Sequence, residues 1–177
     1  QHQNTQWQLH DWQARRRLLP AQQSLFDAHT QSLAAPRLGV MLLPGAGDLS
    51  RTLSTFAIPG RLGEALSIKT YGEIPDTATG CVQQFDWNAT HPAASLNAAI
   101  VDWNVDWLLL IEAGAEFTAS GLNALLLELA GRPNLRALHA DAWYRDDSGA
   151  LAPVMRSDFD IDQLLGNPAM LSGHWVF

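Results

Sequence analysis

The sequence predicts an α/β fold: a three-layer sandwich with a central, mostly parallel sheet, helices on both faces and a helical segment in front. Three observations predict it. From Pro36 onward, strand-like apolar runs alternate with helix-like stretches, and alternation at this spacing implies parallel strands joined by right-handed crossovers. Two runs, Leu38–Leu43 and Trp107–Ile111, are almost wholly apolar, as strands buried on both faces are. Hydrophobic residues make up 47% of the 177, ample for the core of one domain of this length.

Residues 1–35 are rich in Gln, Arg and Ala and predict two short helices, roughly 5–18 and 20–34. Pro20 opens the second, because the N–H it lacks has no partner in a first turn. The α/β domain is expected to span 36–177. Its first strand, Leu38–Leu43, ends at Pro44-Gly-Ala-Gly47, and Asp48 then caps a helix reaching about Phe56 by accepting from free amides. Ala65–Tyr71 and Gly80–Phe85 read as strands. A helix opened by Thr90 or His91 and Pro92 carries Leu96, Ala99, Ile100 and Trp103 at helical spacing, with Asn97 directed elsewhere. The strand over 106–112 follows. Thr118 or Ser120 caps a helix with Leu122, Leu125, Leu126 and Leu129 on one stripe, closed by Gly131 and Pro133. Leu135–Tyr144 reads as a further strand interrupted by Asp141, and Asp160–Leu165 as a short helix. The apolar end at Trp175–Phe177 is read as a cut within a longer protein.

A net charge of -7 disfavours a general nucleic-acid binder, whose phosphate contacts need clustered Lys and Arg. The one basic run, Arg15–Arg17, reads as a solvated helix face. A single cysteine, Cys81, excludes an intramolecular disulfide and a cysteine-rich zinc site, so a reduced, cytoplasmic location is expected. No stretch approaches the ~20 apolar residues of a membrane span, and the first ten residues lack a signal-peptide core. The acceptor pattern Asn88-Ala-Thr90 is short enough to arise by chance.

Chemistry is expected where the strand Trp107–Ile111 breaks into Glu112-Ala-Gly-Ala-Glu116, since ligands of open α/β sheets collect beyond the carboxyl ends of strands. Two carboxylates there suit a hard divalent cation, which in turn holds a phosphate; the plain alternative is a polar loop whose acids face water. Other motifs are absent. Gly45-Ala-Gly47 has Ser50 where a dinucleotide loop needs its third glycine, and no Lys follows in Walker-A spacing, so a tight turn is the simpler reading. The six histidines show no metal-ligand spacing, and no G-x-S-x-G elbow is present. His139 and Asp141 fall two apart on one expected strand, where a hydrogen-bonded structural histidine is the simpler account. Of the seven tryptophans, Trp7, Trp12, Trp103 and Trp107 are explained by packing, whereas Trp143 and Trp175 leave stacking on a sugar or base open.

The ordered segments resemble glycosyltransferase family 2, nucleotide-sugar-dependent enzymes with a single Rossmann-like domain, of the O-antigen or rhamnan-synthesis kind. Pro36-Arg-Leu-Gly-Val-Met-Leu-Leu-Pro44 is similar to that family's first strand, and Ser95-Leu-Asn-Ala-Ala-Ile100 to its A-x-N-x-G/A helix. Trp107–Gly114 falls where the family writes a strand ending in D-x-D, His139–Gly149 resembles the Y-x-D-E-D segment, and Ser157–Leu165 resembles K-P-D-W-S-x-D-L-L. Trp12 with the basic helix and Pro20-Ala-Gln resembles the helical preface.

The resemblance implies a nucleotide-diphospho-sugar transferase-like fold and transfer of a sugar to an acceptor hydroxyl in bacterial surface polysaccharide synthesis. The family's metal, Mn or Mg, neutralises the departing diphosphate, and a later carboxylate takes the acceptor proton. Carried over, Glu112 and Glu116 form the metal or diphosphate side, Asp141 is the catalytic position that orients the donor sugar, and Asn97 braces the loop from the neighbouring helix. All four are expected near one cleft at the strand ends. Gly114 stands at the second acidic place, with Glu116 as its substitute. The polar residues of the family's P-V-Y-N are here Pro44–Gly47, its D-D-G-S has no counterpart in Lys69–Glu73, and its E-D base segment would follow Phe177. The expected partners are a nucleotide-sugar and a glycan acceptor, with weak or absent transfer included. The rival from another class is a non-catalytic scaffold that keeps the fold and binds a protein partner. A general Rossmann-type small-molecule binder is disfavoured by the failed glycine fingerprint.

Overall fold

A computed structural model describes residues 19–32, 36–57, 61–76, 82–145, 151–154 and 175–177, together with Asp11, Arg15 and Leu165. Five helices and eight strands are described. In chain order they are α1 (Pro20–Gln31), β1 (Leu38–Leu43), α2 (Leu49–Ser54), α3 (Arg61–Glu64), β2 (Leu66–Thr70), β3 (Val82–Gln84), α4 (Pro92–Ile100), β4 (Trp107–Glu112), α5 (Ala119–Gly131), β5 (Leu138–His139), β6 (Ala142–Arg145), β7 (Leu151–Val154) and β8 (Trp175–Val176).

The main sheet has the order β3-β2-β1-β4-β8-β5. Its first four strands are parallel, and β8 runs antiparallel between β4 and β5, pairing Val176 with both Leu109 and Leu138. Two reversals restore direction, so β5 runs with β4. The chain thus builds outward from β1 through β2 to β3, then crosses back to lay β4 on the other side of β1. That reversal is a topological switch point, where the carboxyl ends of neighbouring strands part and leave room for a ligand.

Successive strand side chains face opposite sides, which sorts them into two clusters. Leu38, Val40, Leu42, Leu66, Ile68, Leu109 and Ile111 pack with Leu53, Phe56 and the α5 stripe Leu122, Leu125, Leu126 and Leu129. Met41, Phe85 and Ala99 form the centre of the opposite cluster, joined by Leu96, Ile100, Trp103, Leu108 and Leu110. Helices therefore cover both faces, α2 and α5 on one and α4 on the other. The caps explain where the helices begin. Asp48 accepts from the amides of Ser50 and Arg51 (2.8 and 3.4 Å), and Thr118 accepts from the Gly121 amide at 3.0 Å. At α1 the Gln22 side chain reaches back to accept from the Leu19 amide, 2.8 Å.

One expectation needs correction. Leu135–Tyr144 is not one interrupted strand: the chain leaves the main sheet after His139, and β6 pairs antiparallel with β7 as a separate two-stranded sheet. Exposed Asp141 marks the exit, a polar residue where a strand within the sheet would need a buried one. Trp175–Val176 is a sheet strand, and the backbones of Phe177 and Leu108 exchange two hydrogen bonds of 2.9 Å. The first expected helix, 5–18, and the short helix 160–165 lie outside the described residues except at Asp11, Arg15 and Leu165, which are helical. No described helix is long and apolar enough to cross a membrane.

Candidate functional site at the carboxyl edge

Glu112 ends β4 in register with Leu43, the last residue of β1, so it stands at the switch point itself. The pleat puts it on the α4 face, together with Leu108 and Leu110. The same row continues across the sheet. Leu42 pairs with Thr70 and Thr70 with Gln84, so the residues one step further, Leu43, Tyr71 and Phe85, fall in line with Glu112. Leu43 and Tyr71 are half-buried, and Phe85 meets Trp87 edge-on with ring centroids 6.3 Å apart. The row runs from buried Phe85 through half-buried Tyr71 and Leu43 to the exposed carboxylate of Glu112. Glu112 is exposed and has no side-chain partner among the described residues.

Backbone packing closes the other side of the switch point. The loop after β1 lies directly on the loop after β4: the Ala113 amide donates to the Leu43 carbonyl (3.0 Å) and the Gly47 amide to the Ala113 carbonyl (3.2 Å). A Cβ on Gly47 would overlap the Gly114 backbone, and one on Gly114 would lie 2.8 Å from Gly47 Cα. Gly114 also has φ +104°, a conformation that side chains resist. Its amide donates to the Thr52 hydroxyl at 2.8 Å, and Thr52 is fully buried. The glycines at 45 and 47 are thus accounted for by close loop-to-loop approach. Gly114 is held in place by the same contact, so an acid at that position would need the loop rebuilt.

Glu116 is engaged elsewhere. Its Oε1 lies 2.8 Å from Arg51 Nε on α2, an ion pair with 57% of the arginine side chain and 38% of the glutamate exposed. Asp141 follows β5 by two residues. In strand order β5 is separated from β4 by β8, and Glu112 and Asp141 each come three residues after the row Leu109–Val176–Leu138. Glu112 thus ends β4, whereas Asp141 lies beyond the end of β5, between the main sheet and β6. Asn97 lies past the middle of α4, a helix that runs from the carboxyl edge towards the amino edge. Its side chain is exposed and makes no hydrogen bond to the loop after β4 among the described residues.

A divalent cation fits this donor set poorly. Gly114 offers no ligand, Glu116 is paired with a guanidinium, and Glu112 alone remains. Among the described residues no three His, Cys, Asp or Glu side chains converge as cation ligands do. Two residues that the sequence did not single out, Arg51 and Thr52, organise this edge. Thr52 meets Gly114 across 62 positions of chain, a contact with no local periodicity to announce it. Arg51 follows from the Asp48 cap, which places it in the first turn of α2 facing the β4 loop.

The fold is an α/β domain whose first four sheet strands are parallel, with the loops after β1 and β4 in backbone contact at its switch point. Neither the protein-family models nor the curated proteins compared with the chain match it.

Proposed function

We propose that this chain is a glycosyltransferase-like domain that takes a nucleotide-sugar, with a donor site reduced to one acid, in bacterial surface polysaccharide synthesis. The observation that carries the reading is exposed Glu112 at the end of β4, with no side-chain partner among the described residues and in line with Leu43, Tyr71 and Phe85 at the switch point. An aromatic ring offers a face for a nucleobase, and a carboxylate in this place accepts hydrogen bonds from ribose hydroxyls. Asp141, beyond the end of β5, is the residue assigned to orienting the donor sugar. A glycan hydroxyl is the acceptor. Mn or Mg has no part in this reading, because Gly114 offers no ligand and Glu116 is paired with Arg51.

Calorimetry with UDP, GDP and dTDP, each with and without manganese, tests the reading. Binding of any of them that weakens at least tenfold in Glu112→Ala supports it. A second reading, a non-catalytic scaffold with this fold and a protein partner, is favoured by the conformation of Gly114, which commits the loop to having no second acid. Absence of binding to all three nucleotides leaves the scaffold ahead.

A further inference from the structure

The loop between β3 and α4 carries a motif that the nucleotide-sugar reading does not use. Asn88-Ala-Thr90 has the acceptor pattern of N-linked glycosylation, and the acid Asp86, two residues ahead, lengthens it to D-x-N-x-T. Asp86, Asn88, Ala89 and Thr90 are all exposed, while Trp87 is half-buried and meets Phe85 edge-on with ring centroids 6.3 Å apart. Three hydrogen bonds fix the loop as a turn. Asn88 Oδ1 accepts from the Thr90 amide at 2.9 Å, the Asn88 amide donates to Ser95 Oγ of α4 at 2.9 Å, and the Asn88 carbonyl accepts from the His91 amide at 3.0 Å. The acceptor residues are thus displayed at the surface of a loop anchored at both ends, by a tryptophan on one side and a helix on the other.

We propose that Asn88 is an N-glycosylation site, modified by a separate transferase with a sugar or oligosaccharide activated as a glycosyl diphosphate. The proposal is independent of the nucleotide-sugar reading above. Asn88 Nδ2 forms the new bond to the anomeric carbon of the sugar. The bond from that carbon to the diphosphate oxygen breaks, its electron pair leaves with the diphosphate, and one carboxamide proton passes to a base of the transferase. The Thr90 amide at Asn88 Oδ1 draws electron density towards the oxygen, which makes an Nδ2 proton easier to remove. The exposed Thr90 hydroxyl gives the transferase a donor and an acceptor to read, and the exposed Asp86 carboxylate gives it a charge that a basic side chain pairs with. A glycan is bulky and polar, and on this exposed turn it extends into solvent without disturbing the core.

The test is mass spectrometry of the full chain isolated from its own cells, as intact protein and as peptides spanning 86–90. Wild type is compared with Asn88→Gln, Thr90→Ala, Thr90→Ser and Asp86→Ala, with thermal melts to verify folding. Expected is a glycan mass at Asn88 in wild type, lost in Asn88→Gln and Thr90→Ala, kept in Thr90→Ser, and reduced at least tenfold in occupancy in Asp86→Ala. Thr90→Ala keeps the backbone amide that closes the turn, so loss of the glycan there reports the hydroxyl and not the fold. A wild-type peptide without glycan at Asn88, or an occupancy unchanged in Thr90→Ala, overturns the proposal. A glycan indifferent to Asp86→Ala overturns the part given to Asp86.

Discussion

The two edges of the sheet join the same strands, β1 and β4, by opposite means. At the amino edge the Asp106 carboxylate takes the Arg37 amide (2.9 Å), its Nε (3.1 Å) and its Nη2 (2.7 Å), while the Arg37 carbonyl accepts from the amides of Asp106 and Trp107 at 2.8 and 3.1 Å. Arg37 and Asp106 match each other's charge there. At the carboxyl edge the strands are joined by glycine backbone, Arg51 pairs with Glu116, and Glu112 has no side-chain partner among the described residues. Ligands of open α/β sheets collect at the carboxyl ends of the strands, which makes the carboxyl edge the one to test.

The largest expected effect breaks the carboxyl join. Gly47→Ala forces a Cβ into the Gly114 backbone, and Gly114→Asp adds a side chain at φ +104°. Each is expected to cost about 2–4 kcal/mol in urea denaturation, the sum of a strained backbone and an overpacked contact. Gly114→Asp also tests whether the second acid of a D-x-D motif can be restored: loss of folding stability without gain of manganese binding is the expected outcome. Next comes Thr52→Val, which leaves the Gly114 amide without its acceptor and is expected to cost about 1–3 kcal/mol.

A smaller effect breaks the amino join. The Arg37 guanidinium, through its side-chain and backbone hydrogen bonds, holds the Asp106 carboxyl down at about 2 from the ordinary 3.8. Because the folded value is the lower one, the stabilisation is complete above the unfolded value and disappears as pH falls towards about 2. Both partners are largely exposed, so solvent screening keeps the contribution below that of Thr52. Asp106→Asn is therefore expected to lower the melting temperature modestly at neutral pH, with the difference from wild type closing as acid is added. Glu112→Gln is expected to change stability least, within about 0.5 kcal/mol, since the side chain is exposed and has no partner among the described residues. A stability loss well above that would mean Glu112 has a structural partner.

Much of the frame was legible in the sequence, and for identifiable reasons. The strands β1 and β4 and the stripe on α5 were visible because burial imposes continuous apolar runs and helical spacing, and Asp48 and Thr118 were visible as caps because their side-chain chemistry is local. What escaped was set by tertiary contact. A two-residue strand such as β8 has no period to read, and its reversed place between β4 and β5 depends on partners far along the chain. The break at Asp141 showed as a polar residue but not as a change of sheet. At the site, Glu112 was found as the end of an apolar strand. The engagement of Glu116 by Arg51 was not, because 65 positions, 116 minus 51, separate them. Gly114 appeared in sequence as a missing acid; in the structure it is half of a glycine contact that the loop requires.

The central claim is that the carboxyl edge takes a nucleotide and the amino edge does not. Titrating UDP and then GDP into isotope-labelled protein, and following backbone amide shifts by NMR, tests it residue by residue. The account predicts shifts at Ala46–Arg51, Tyr71–Glu73 and Glu112–Glu116, with Arg37 and Asp106 unmoved. Shifts centred on Arg37 and Asp106, or none at saturating nucleotide, would contradict it.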